Sequence, residues 1–536
     1  MSQLSLGLDV STQSVSAVVL DIESCSVIAE YSLDYRADER LNSFGIGKDY
    51  IIPAAIDGEA NQPAAMFFAA VDAVLADISK NIDIQKIAVI NVSGQQHGHV
   101  YLNSMAKDTF NRLLHEDSAD SDLVSLLTPG LAWDAAPIWM TSSTGNQSAF
   151  IRDYVGGTNK LIGLSGSDAP LRFTGSVIRY VGQMYPGVYK STRRIQLVSS
   201  LIPGVLSGNA DVPFDFGNAS GMTLMDYRKK VWSDELIEAV SDGLEGGAGA
   251  LGQKLPNIVS PETVVGVIAP YFIRKYGFSP SCKIIAGSGD NPQSKVLVTG
   301  DLLSLGTSIV NMVSTDGAAL DMNGYASAMY DGIGRPFMFG TRTNGVMLWD
   351  RMRSMYGLGK NDYAPAEEVL KQSVPGENLL FWQIRKESFP PSGIIDITRD
   401  GGFTPAFTTD YPALIDTVLA SVYVYSKKFT RETRETIYVT GGARNSREIL
   451  RRVAAIWNRP VTPIQAGGAA LGAAVAGVYG MYLSEQRPFD IDGYSSRLLK
   501  KEREIVPSGD DAARYHQKGG FLDRLITEEA NVLKKG

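Results

Sequence analysis

The chain has 536 residues, enough for two large domains or about three to four of ordinary size. Acidic side chains outnumber basic ones by 58 to 50, and the net charge of −8 argues against a broad phosphate-binding surface for DNA or RNA. With 44% hydrophobic and 20% charged residues, the composition is that of a globular protein and excludes wholesale disorder.

Two cysteines, Cys25 and Cys282, are too few for a disulfide framework or a structural zinc site, which favours a reducing cytoplasm. The four histidines form no His-Glu-x-x-His pair, so we expect any metal to be a hard cation bound by oxygen. The N-terminus reaches Asp9 too early for the apolar core of a signal peptide. Segment 465–483 is uncharged, but its weakly apolar Ala and Gly content predicts a closely packed helix and no membrane partner.

The predicted elements begin with a hairpin at 4–20, in which a polar turn separates two apolar strands. A helical pattern follows at 63–78, and the apolar strand 87–90 leads into a polar segment. Another helical pattern at 235–240 precedes the strand 283–286. This alternation of strands and helices predicts an α/β architecture.

A second hairpin is predicted at 301–314, and its likeness to the first indicates an internal duplication with two similar lobes. A long amphipathic helix is predicted at 413–433, with Pro412 at its start. The strand 436–440 then leads through a glycine turn into a helix that begins near Ser446. The charged stretch from residue 487 onward is interpreted as peripheral helices.

Neither a P-loop nor a G-x-S-x-G motif occurs, so phosphate binding would depend on Gly, Ser and Thr turns at strand ends. In the first turn, Ser11, Thr12 and Gln13 offer hydroxyl, amide and backbone donors. Asp9 beside them offers an oxygen ligand for Mg²⁺. Taken alone, the turn of either hairpin could be an ordinary polar turn that binds no phosphate. The presence of two such hairpins favours a cleft that binds phosphate.

Asp290 follows the predicted strand 283–286 in a Gly-Ser-Gly-Asp-Asn-Pro segment. A carboxylate at the carboxyl end of such a strand can accept the proton of an alcohol during phosphoryl transfer. Gln96 and His97 follow another strand and are suited to hydrogen-bond sugar hydroxyls. The alternatives are a simple turn around Asp290 and a structural histidine.

Taken together, these motifs resemble the FGGY family of carbohydrate kinases, and within it the xylulokinases of the eukaryotic type. The resemblance spans nearly the whole chain, and the order of its segments makes it specific. The matching segments are LGLDVSTQSV at 6–15, SGQQHG at 93–98, PIWMTSST at 137–144, RFTG at 172–175, SGMTL at 220–224, GSGDNP at 287–292, SLGTS at 304–308 and TGGARNSREIL at 440–450.

The resemblance implies a two-lobed, duplicated, actin-like ATPase fold of the ribonuclease H-like α/β class with a central cleft. Residues 1–295 would form a sugar-binding lobe with the first phosphate hairpin, and 296–536 a nucleotide-binding lobe that includes the Gly/Ala helix after Gln465. The implied reaction is ATP-dependent phosphorylation of a ketose, D-xylulose first, with MgATP between the lobes. A cytoplasmic homodimer is expected. The alternatives are a kinase for another ketose or polyol, and a non-catalytic nucleotide- or sugar-binding relative.

The resemblance also implies roles for individual residues. Asp290 would be the catalytic base, and Asp9 would help to hold Mg²⁺. The ketose would be bound by Gln96, His97, Thr141, Arg172 and Asn291. The ATP phosphates would be bracketed by Ser11, Thr12, Gln13, Gly306, Thr307 and Ser308, and the adenosine approached by Gly441, Gly442 and Asn445.

Three positions depart from the family pattern. Ser16 stands where a lysine or arginine is usual, which removes one cationic partner for phosphate. Thr141 and Asn218 replace acidic residues in two segments near the sugar. Because a carboxylate accepts stronger hydrogen bonds than a neutral group, these two changes are expected to affect which sugar is chosen.

Overall fold

The computed structural model describes residues 3–359, 362–430, 433, 435–465 and 467–533. It divides into two compact units that are not continuous in sequence. Unit 1 is formed by Met1–Leu297, Ala328–Pro336 and Gly467–Leu498, and unit 2 by Val298–Ser327, Phe337–Ala466 and Leu499–Gly536. The first segment of unit 1 ends at residue 297, two residues after the predicted boundary at 295. Two later segments, Ala328–Pro336 and Gly467–Leu498, also belong to unit 1, so a single boundary does not describe the division. The functional assignment of each lobe stays a prediction.

Unit 1 is built around a mixed sheet whose central strand is almost wholly buried, with Leu and Val on one face and Ser, Gly and Asp on the other. Its strands are β1 (Leu4–Val10), β2 (Ser14–Asp21), β3 (Ser26–Asp34), β4 (Ile87–Gly94), β5 (Val264–Val267), β6 (Lys283–Ile285) and β7 (Ser288–Gly289). The order is β5-β6-β4-β1-β2-β3, and β7 also pairs with β4. β1 and β2 form the predicted hairpin, and β4 runs parallel to β1.

Helices and short strand pairs complete unit 1. The short pairs are Asn61–Pro63 with Ala135–Pro137, His99–Leu102 with Arg194–Leu197, Phe214–Asp215 with Ile258–Val259, and Met225–Asp226 with Val231–Trp232. The helices are Ala64–Ser79, Ala106–Asn111, Leu123–Leu127, Gly145–Tyr154, Thr158–Ser165, Thr174–Met184, Pro186–Ser191, Val198–Ser207, Phe216–Ser220, Asp234–Ser241, Gly247–Lys254, Pro270–Tyr276, Asp290–Val296, Gly468–Ser484 and Ile491–Leu498. The predicted helices at 63–78 and 235–240 are confirmed within one residue at each end.

The helix Gly468–Ser484, which we call the Gly/Ala helix, lies directly against this sheet and belongs to unit 1. A Cβ added at Gly7 of β1 would lie 1.9 Å from the carbonyl oxygen of Ala470, and Ser5 Oγ donates to Ala474 O at 2.7 Å. The small residues therefore serve close backbone contact in a packed core, as predicted. The prediction that the Gly/Ala helix belongs to the second lobe was wrong. Within the described ranges, no helix combines the length and apolarity that crossing a membrane requires.

Unit 2 repeats the strand topology of unit 1. Its sheet contains β8 (Leu302–Leu305), β9 (Ile309–Ser314), β10 (Pro336–Arg342), β11 (Ile437–Thr440), β12 (Val461–Gln465) and β13 (Lys500–Lys501), in the order β10-β9-β8-β11-β12-β13. The β8–β9 hairpin has a parallel strand beside β8, as the β1–β2 hairpin has beside β1. The order β3-β2-β1-β4-β6 thus matches β10-β9-β8-β11-β12, which supports the predicted duplication.

The helices of unit 2 are Val346–Met355, Tyr363–Gln372, Phe407–Ser426, Arg447–Trp457, Gly509–His516 and Phe521–Leu533. The prediction of a helix at 413–433 was wrong at both ends, because the helix begins at Phe407 and ends at Ser426 with Pro412 inside it. Its first turn forms upstream of the proline because Asp410 is buried and paired with Arg399. Residues 431 and 432 of the predicted helix lie outside the described residues.

Candidate functional site

Two carboxylates stand at strand ends in unit 1. Asp9 lies near the carboxyl end of β1, opposite Ser93 of the parallel strand β4. Asp290 directly follows β7, another parallel neighbour of β4, and is the first residue of the helix Asp290–Val296. Because carboxyl ends of parallel strands meet at one edge of a sheet, both carboxylates lie where α/β proteins bind their ligands.

Among the described residues, hydroxyl groups and no cationic side chain hold Asp9. Ser11 Oγ donates to Asp9 Oδ2 at 2.6 Å, and Ser93 Oγ donates to Oδ1 at 2.7 Å. Burial raises the pKa of Asp9 above its ordinary value, and these two hydrogen bonds partly oppose that change. Ser16 lies directly opposite Asp9 on β2, with its hydroxyl 3.4 Å from that of Ser32.

Asp290 has the properties of a general base poised near neutrality. One carboxylate oxygen, Oδ1, accepts from Asn291 N at 2.7 Å and from Asn291 Nδ2 at 3.0 Å. The pKa of Asp290 is raised to about 7. Burial is the main cause, the nearby charge of Asp9 acts in the same direction, and hydrogen bonds from backbone N–H groups of Asn291 and Gln96 oppose both. Part of the residue remains open to solvent, so a substrate can reach it.

Gln96 and His97 present hydrogen-bond acceptors beside this region. The buried Gln96 Oε1 has no hydrogen-bond partner among the described residues. His97 Nδ1 lies 2.9 Å from the carbonyl oxygen of Gly221, so this nitrogen carries the proton and Nε2 is left as an acceptor. Burial lowers the pKa of His97 well below its usual value, with a smaller contribution from Arg172, so the ring is neutral. A Cβ at Gly221 would stand 2.7 Å from Gln96 Nε2, so a larger residue there would displace the Gln96 amide.

Arg172 supplies the complementary donors. Within the described part of the chain no carboxylate pairs with its guanidinium, and burial lowers its pKa. The ring of the adjacent Phe173 packs on His97 with centroids 4.4 Å apart. An unpaired guanidinium near two acceptors is a suitable set for a polyhydroxyl compound, because each sugar hydroxyl both donates and accepts.

Asn218 and Asp215 support the segment that carries Asp290, and we did not predict this role. Asn218 Nδ2 donates to Gly287 O at 2.9 Å, and its Oδ1 accepts from Ser199 Oγ at 2.8 Å. The buried Asp215 caps the helix Phe216–Ser220 by accepting from two backbone N–H groups. Burial raises the pKa of Asp215 to about 7. The neutral amide at 218 is required here, because a carboxylate could not donate to the carbonyl of Gly287.

Two predicted ligands already have partners inside unit 1. The hydroxyl of Thr141 donates to Ala60 O at 3.1 Å and accepts from Ala60 N at 3.4 Å. The hydroxyl of Thr12 donates to Gln95 Oε1 at 3.2 Å and accepts from Trp139 Nε1 at 2.9 Å. These contacts organise the protein, and the predicted ligand roles of both hydroxyls stay predictions. The remaining residue of the first turn, Gln13, is exposed.

Unit 2 contains a cavity of about 680 Å³ at the carboxyl ends of β8 and β11. Four of the residues predicted to bind the nucleotide line it: Gly306, Thr307, Gly442 and Asn445. Gly441 lies beside them with φ of +90°, and a Cβ there would be 2.4 Å from Leu305 O. Ser308 completes the same turn, and its Oγ donates to Thr343 O at 3.4 Å. The two predicted glycine turns therefore converge on one cavity.

The far wall of the cavity carries residues that no sequence motif indicated. They come from the helices Val346–Met355 and Tyr363–Gln372 and include Trp349, Arg353, Tyr363 and Glu367. Glu367 accepts from Ser446 Oγ at 2.5 Å and from Glu448 N at 2.9 Å, which fixes the start of the helix Arg447–Trp457. That helix begins where predicted, capped by Ser446.

The donor set near Asp9 is compatible with Mg²⁺ but not with a closed metal cage. Among the described residues there is no group of three or more His, Cys, Asp and Glu side chains that could hold a metal ion. Magnesium in phosphate-transferring sites is usually bound by one or two carboxylates together with substrate phosphates and water. The carboxylate of Asp9, which accepts from the hydroxyls of Ser11 and Ser93, fits that requirement.

Comparison with known proteins agrees with this geometry. The profile "FGGY family of carbohydrate kinases, N-terminal domain" matches residues 136–296. Xylulose kinase 2 of Arabidopsis thaliana is 30% identical over 515 residues, which cover 91% of this chain and 88% of the relative. The xylulose kinase of Schizosaccharomyces pombe is 28% identical over 574 residues, covering 98% of each chain.

Solved structures show the same fold. The xylulose kinase from Rhodospirillum rubrum superposes with a TM-score of 0.79 at 16% identity and 99% coverage of both chains. The ligand-bound xylulose kinase from Lactobacillus acidophilus gives a TM-score of 0.78 at 18% identity, with 99% and 98% coverage. At such identities the likeness establishes the fold, and the predicted α/β fold of the actin-like ATPase type is confirmed.

Proposed function

Because the chain belongs to the FGGY family of carbohydrate kinases, and is thus an enzyme that phosphorylates a sugar, we propose that it transfers the γ-phosphoryl group of ATP to D-xylulose. The product is D-xylulose 5-phosphate. The names of the full-length relatives from a plant and a yeast support xylulose as the acceptor. The observation that carries the catalytic part is Asp290, whose pKa of about 7 and exposure toward solvent suit a base for an alcohol.

In this proposal the sugar is oriented by side chains of unit 1. Gln96 Oε1 and His97 Nε2 accept hydrogen bonds from sugar hydroxyls, and Arg172 donates to sugar oxygens. Asn291 next to Asp290 contributes a further polar group. Thr141 acts indirectly, since its hydroxyl is engaged with Ala60 and holds the segment in place. Together these groups hold the acceptor hydroxyl beside Asp290.

Asp290 then acts as the general base. Its unprotonated carboxylate accepts the proton of the sugar hydroxyl as that oxygen forms a bond to the γ-phosphorus, and the bond from phosphorus to the bridging oxygen of ADP breaks. Phosphoryl transfer needs little covalent help from a protein, so positioning and charge neutralisation supply most of the acceleration. Asn218 contributes by holding Gly287, three residues before the base.

In this proposal ATP is bound by unit 2, and Mg²⁺ accompanies it. The adenosine occupies the cavity beside Gly442 and Asn445, and the phosphates extend to the turn 306–308. The first turn, with Ser11, Thr12 and Gln13, provides further phosphate contacts. Asp9 would hold Mg²⁺, which when bound neutralises negative charge on the phosphate oxygens. Nucleotide binding in this cavity agrees with glycines that allow close approach of the backbone.

The test is ADP release from MgATP measured with a panel of ketoses and polyols. We expect the highest kcat/KM with D-xylulose, and formation of the 5-phosphate. A higher kcat/KM with another ketose or a polyol would reassign the acceptor, and binding of ATP without turnover on any sugar would favour the non-catalytic alternative. A cytoplasmic location and a homodimeric state belong to the same proposal, and fractionation and sedimentation would test them.

A further inference from the structure

The turn 306–308 of unit 2 is supported from behind by residues 343–345, which we call the backing loop. A Cβ at Gly345 would lie 2.7 Å from Ile309 N, so loop and turn are in direct backbone contact. Three hydrogen bonds join the two segments and the residues that follow: Val346 N to Gly306 O at 3.3 Å, Met347 N to Thr307 O at 3.3 Å, and Ser308 Oγ to Thr343 O at 3.4 Å. The position of the turn therefore depends on the position of the loop.

The backing loop is in turn held by one buried carboxylate, Glu387. Its Oε1 accepts from Thr343 N at 2.8 Å and Ser388 N at 2.9 Å. Its Oε2 accepts from Asn344 N at 2.8 Å and from Asn344 Nδ2 at 3.0 Å. The residue is only 6% exposed. With Phe389 N, which donates to Oε1 at 3.4 Å, five donors thus converge on a side chain that can only accept, as a buried carboxylate requires.

We propose that Glu387 is a positioning residue for the nucleotide phosphates. It fixes the backing loop, the loop fixes the turn 306–308, and the turn presents its backbone N–H groups to the phosphates. Glu387 lies behind the turn and reaches the nucleotide only through it. This inference rests on the proposed ATP site in unit 2.

The chemistry favours a carboxylate over its neutral isostere. In Glu387→Gln one oxygen becomes an NH₂ group, which would face a backbone N–H of Thr343 or Asn344 with no acceptor between them. Hydrogen bonds that involve a charged group are also stronger than neutral ones. The loop must move to relieve the conflict, and the turn moves with it. The adenosine contacts at Gly442 and Asn445 come from other segments and are retained.

The experiment compares nucleotide binding by the full-length wild type and by Glu387→Gln, using calorimetry with MgATP, MgADP and adenosine. We expect the affinity for MgATP and MgADP to fall about tenfold, the scale of one lost hydrogen bond to a charged group, with adenosine affinity unchanged. In turnover assays the KM for ATP rises and the KM for D-xylulose stays the same. The selective loss of phosphate-dependent affinity separates positioning from a general structural role.

Glu529→Gln is the matched control, because Glu529 is another buried carboxylate of unit 2 that accepts from Ser421 Oγ and Tyr425 OH. It should leave the ratio of ATP to adenosine affinity unchanged. If Glu387→Gln folds poorly, Asn344→Ala tests the same loop and should show the same selective loss. Equal weakening of adenosine and MgATP, or no weakening, would overturn the inference. Failure of the wild type to bind MgATP would instead overturn the proposed function.

Discussion

Replacement of Asp290 by asparagine tests the assigned base most directly. Asparagine has nearly the same shape and keeps an oxygen that can accept from Asn291 N, so the start of the helix Asp290–Val296 can be preserved. What is lost is the ability to take a proton. The variant therefore separates proton transfer from the positioning of the sugar.

The expected loss of kcat is at least about a hundredfold, since positioned acid–base groups contribute roughly 10²–10⁴-fold. A hundredfold loss corresponds to about 2.7 kcal/mol of transition-state stabilisation. The pKa of about 7 for Asp290 adds a second expectation. Only the ionised carboxylate is a base, so wild-type kcat/KM should rise with pH up to about 7 and then level off. The residual activity of Asp290→Asn should lack this limb.

Turnover is measured by coupling ADP release to NADH oxidation at saturating MgATP and D-xylulose, and sugar binding is measured by calorimetry. Asp331→Asn changes another buried carboxylate of unit 1, one paired with Arg335, and serves as the control for loss of a buried charge. We expect the two variants to differ in kcat far more than in sugar affinity. Turnover of Asp290→Asn within about tenfold of the wild type, with an unchanged acid limb, would refute the assignment of the base.

Three further predictions concern the surroundings of the site. Asn218→Asp removes the donor to Gly287 and should lower kcat about tenfold and the free energy of unfolding by about 1–3 kcal/mol, measured by turnover and urea denaturation. Gly472→Val should destabilise unit 1 strongly and lower Tm, because a Cβ there would lie 1.9 Å from a carbonyl oxygen of the helix Asp290–Val296. The control Gly163→Ala should leave Tm nearly unchanged, because no atom lies within 4 Å of a Cβ at that position. Folding raises the pKa of Asp290 from 3.8 to about 7, so between these pH values the folded protein holds a proton that the unfolded chain has lost. The free energy of unfolding of the wild type therefore falls as the pH rises from about 4 to about 7. Asp290→Asn lacks this proton, so its Tm relative to that of the wild type should increase over the same pH range.

The sequence was sufficient to predict the parts of the fold that depend on local pattern. Both hairpins follow from apolar strands separated by polar turns, and the glycine turn at 441–442 marked the start of the next helix. Asp290 could be placed because a polar residue directly after a buried strand stands at the ligand-binding edge of an α/β sheet. The match between the two sheets then followed from the repeated hairpin.

Other features depend on contacts between distant segments and leave no local signal. Trp349 and Glu367 lie on helices whose pattern indicates only a packed face. Asn218 looked like a neutral substitute near the sugar, and only its partner Gly287 shows that an amide is needed. The start of the helix Phe407–Ser426 was displaced because the Asp410–Arg399 pair stabilises a turn before the proline.

The return of the Gly/Ala helix to unit 1 has a consequence for biosynthesis. Ser5 and Ala474 are bonded although 469 positions separate them in the chain. During translation β1 leaves the ribosome early, yet the helix that covers it is complete only when residue 484 of 536 has been added. The nascent chain must therefore keep this face of the sheet uncovered through most of its synthesis, and a premature stop before residue 467 removes part of unit 1 as well as the end of the chain.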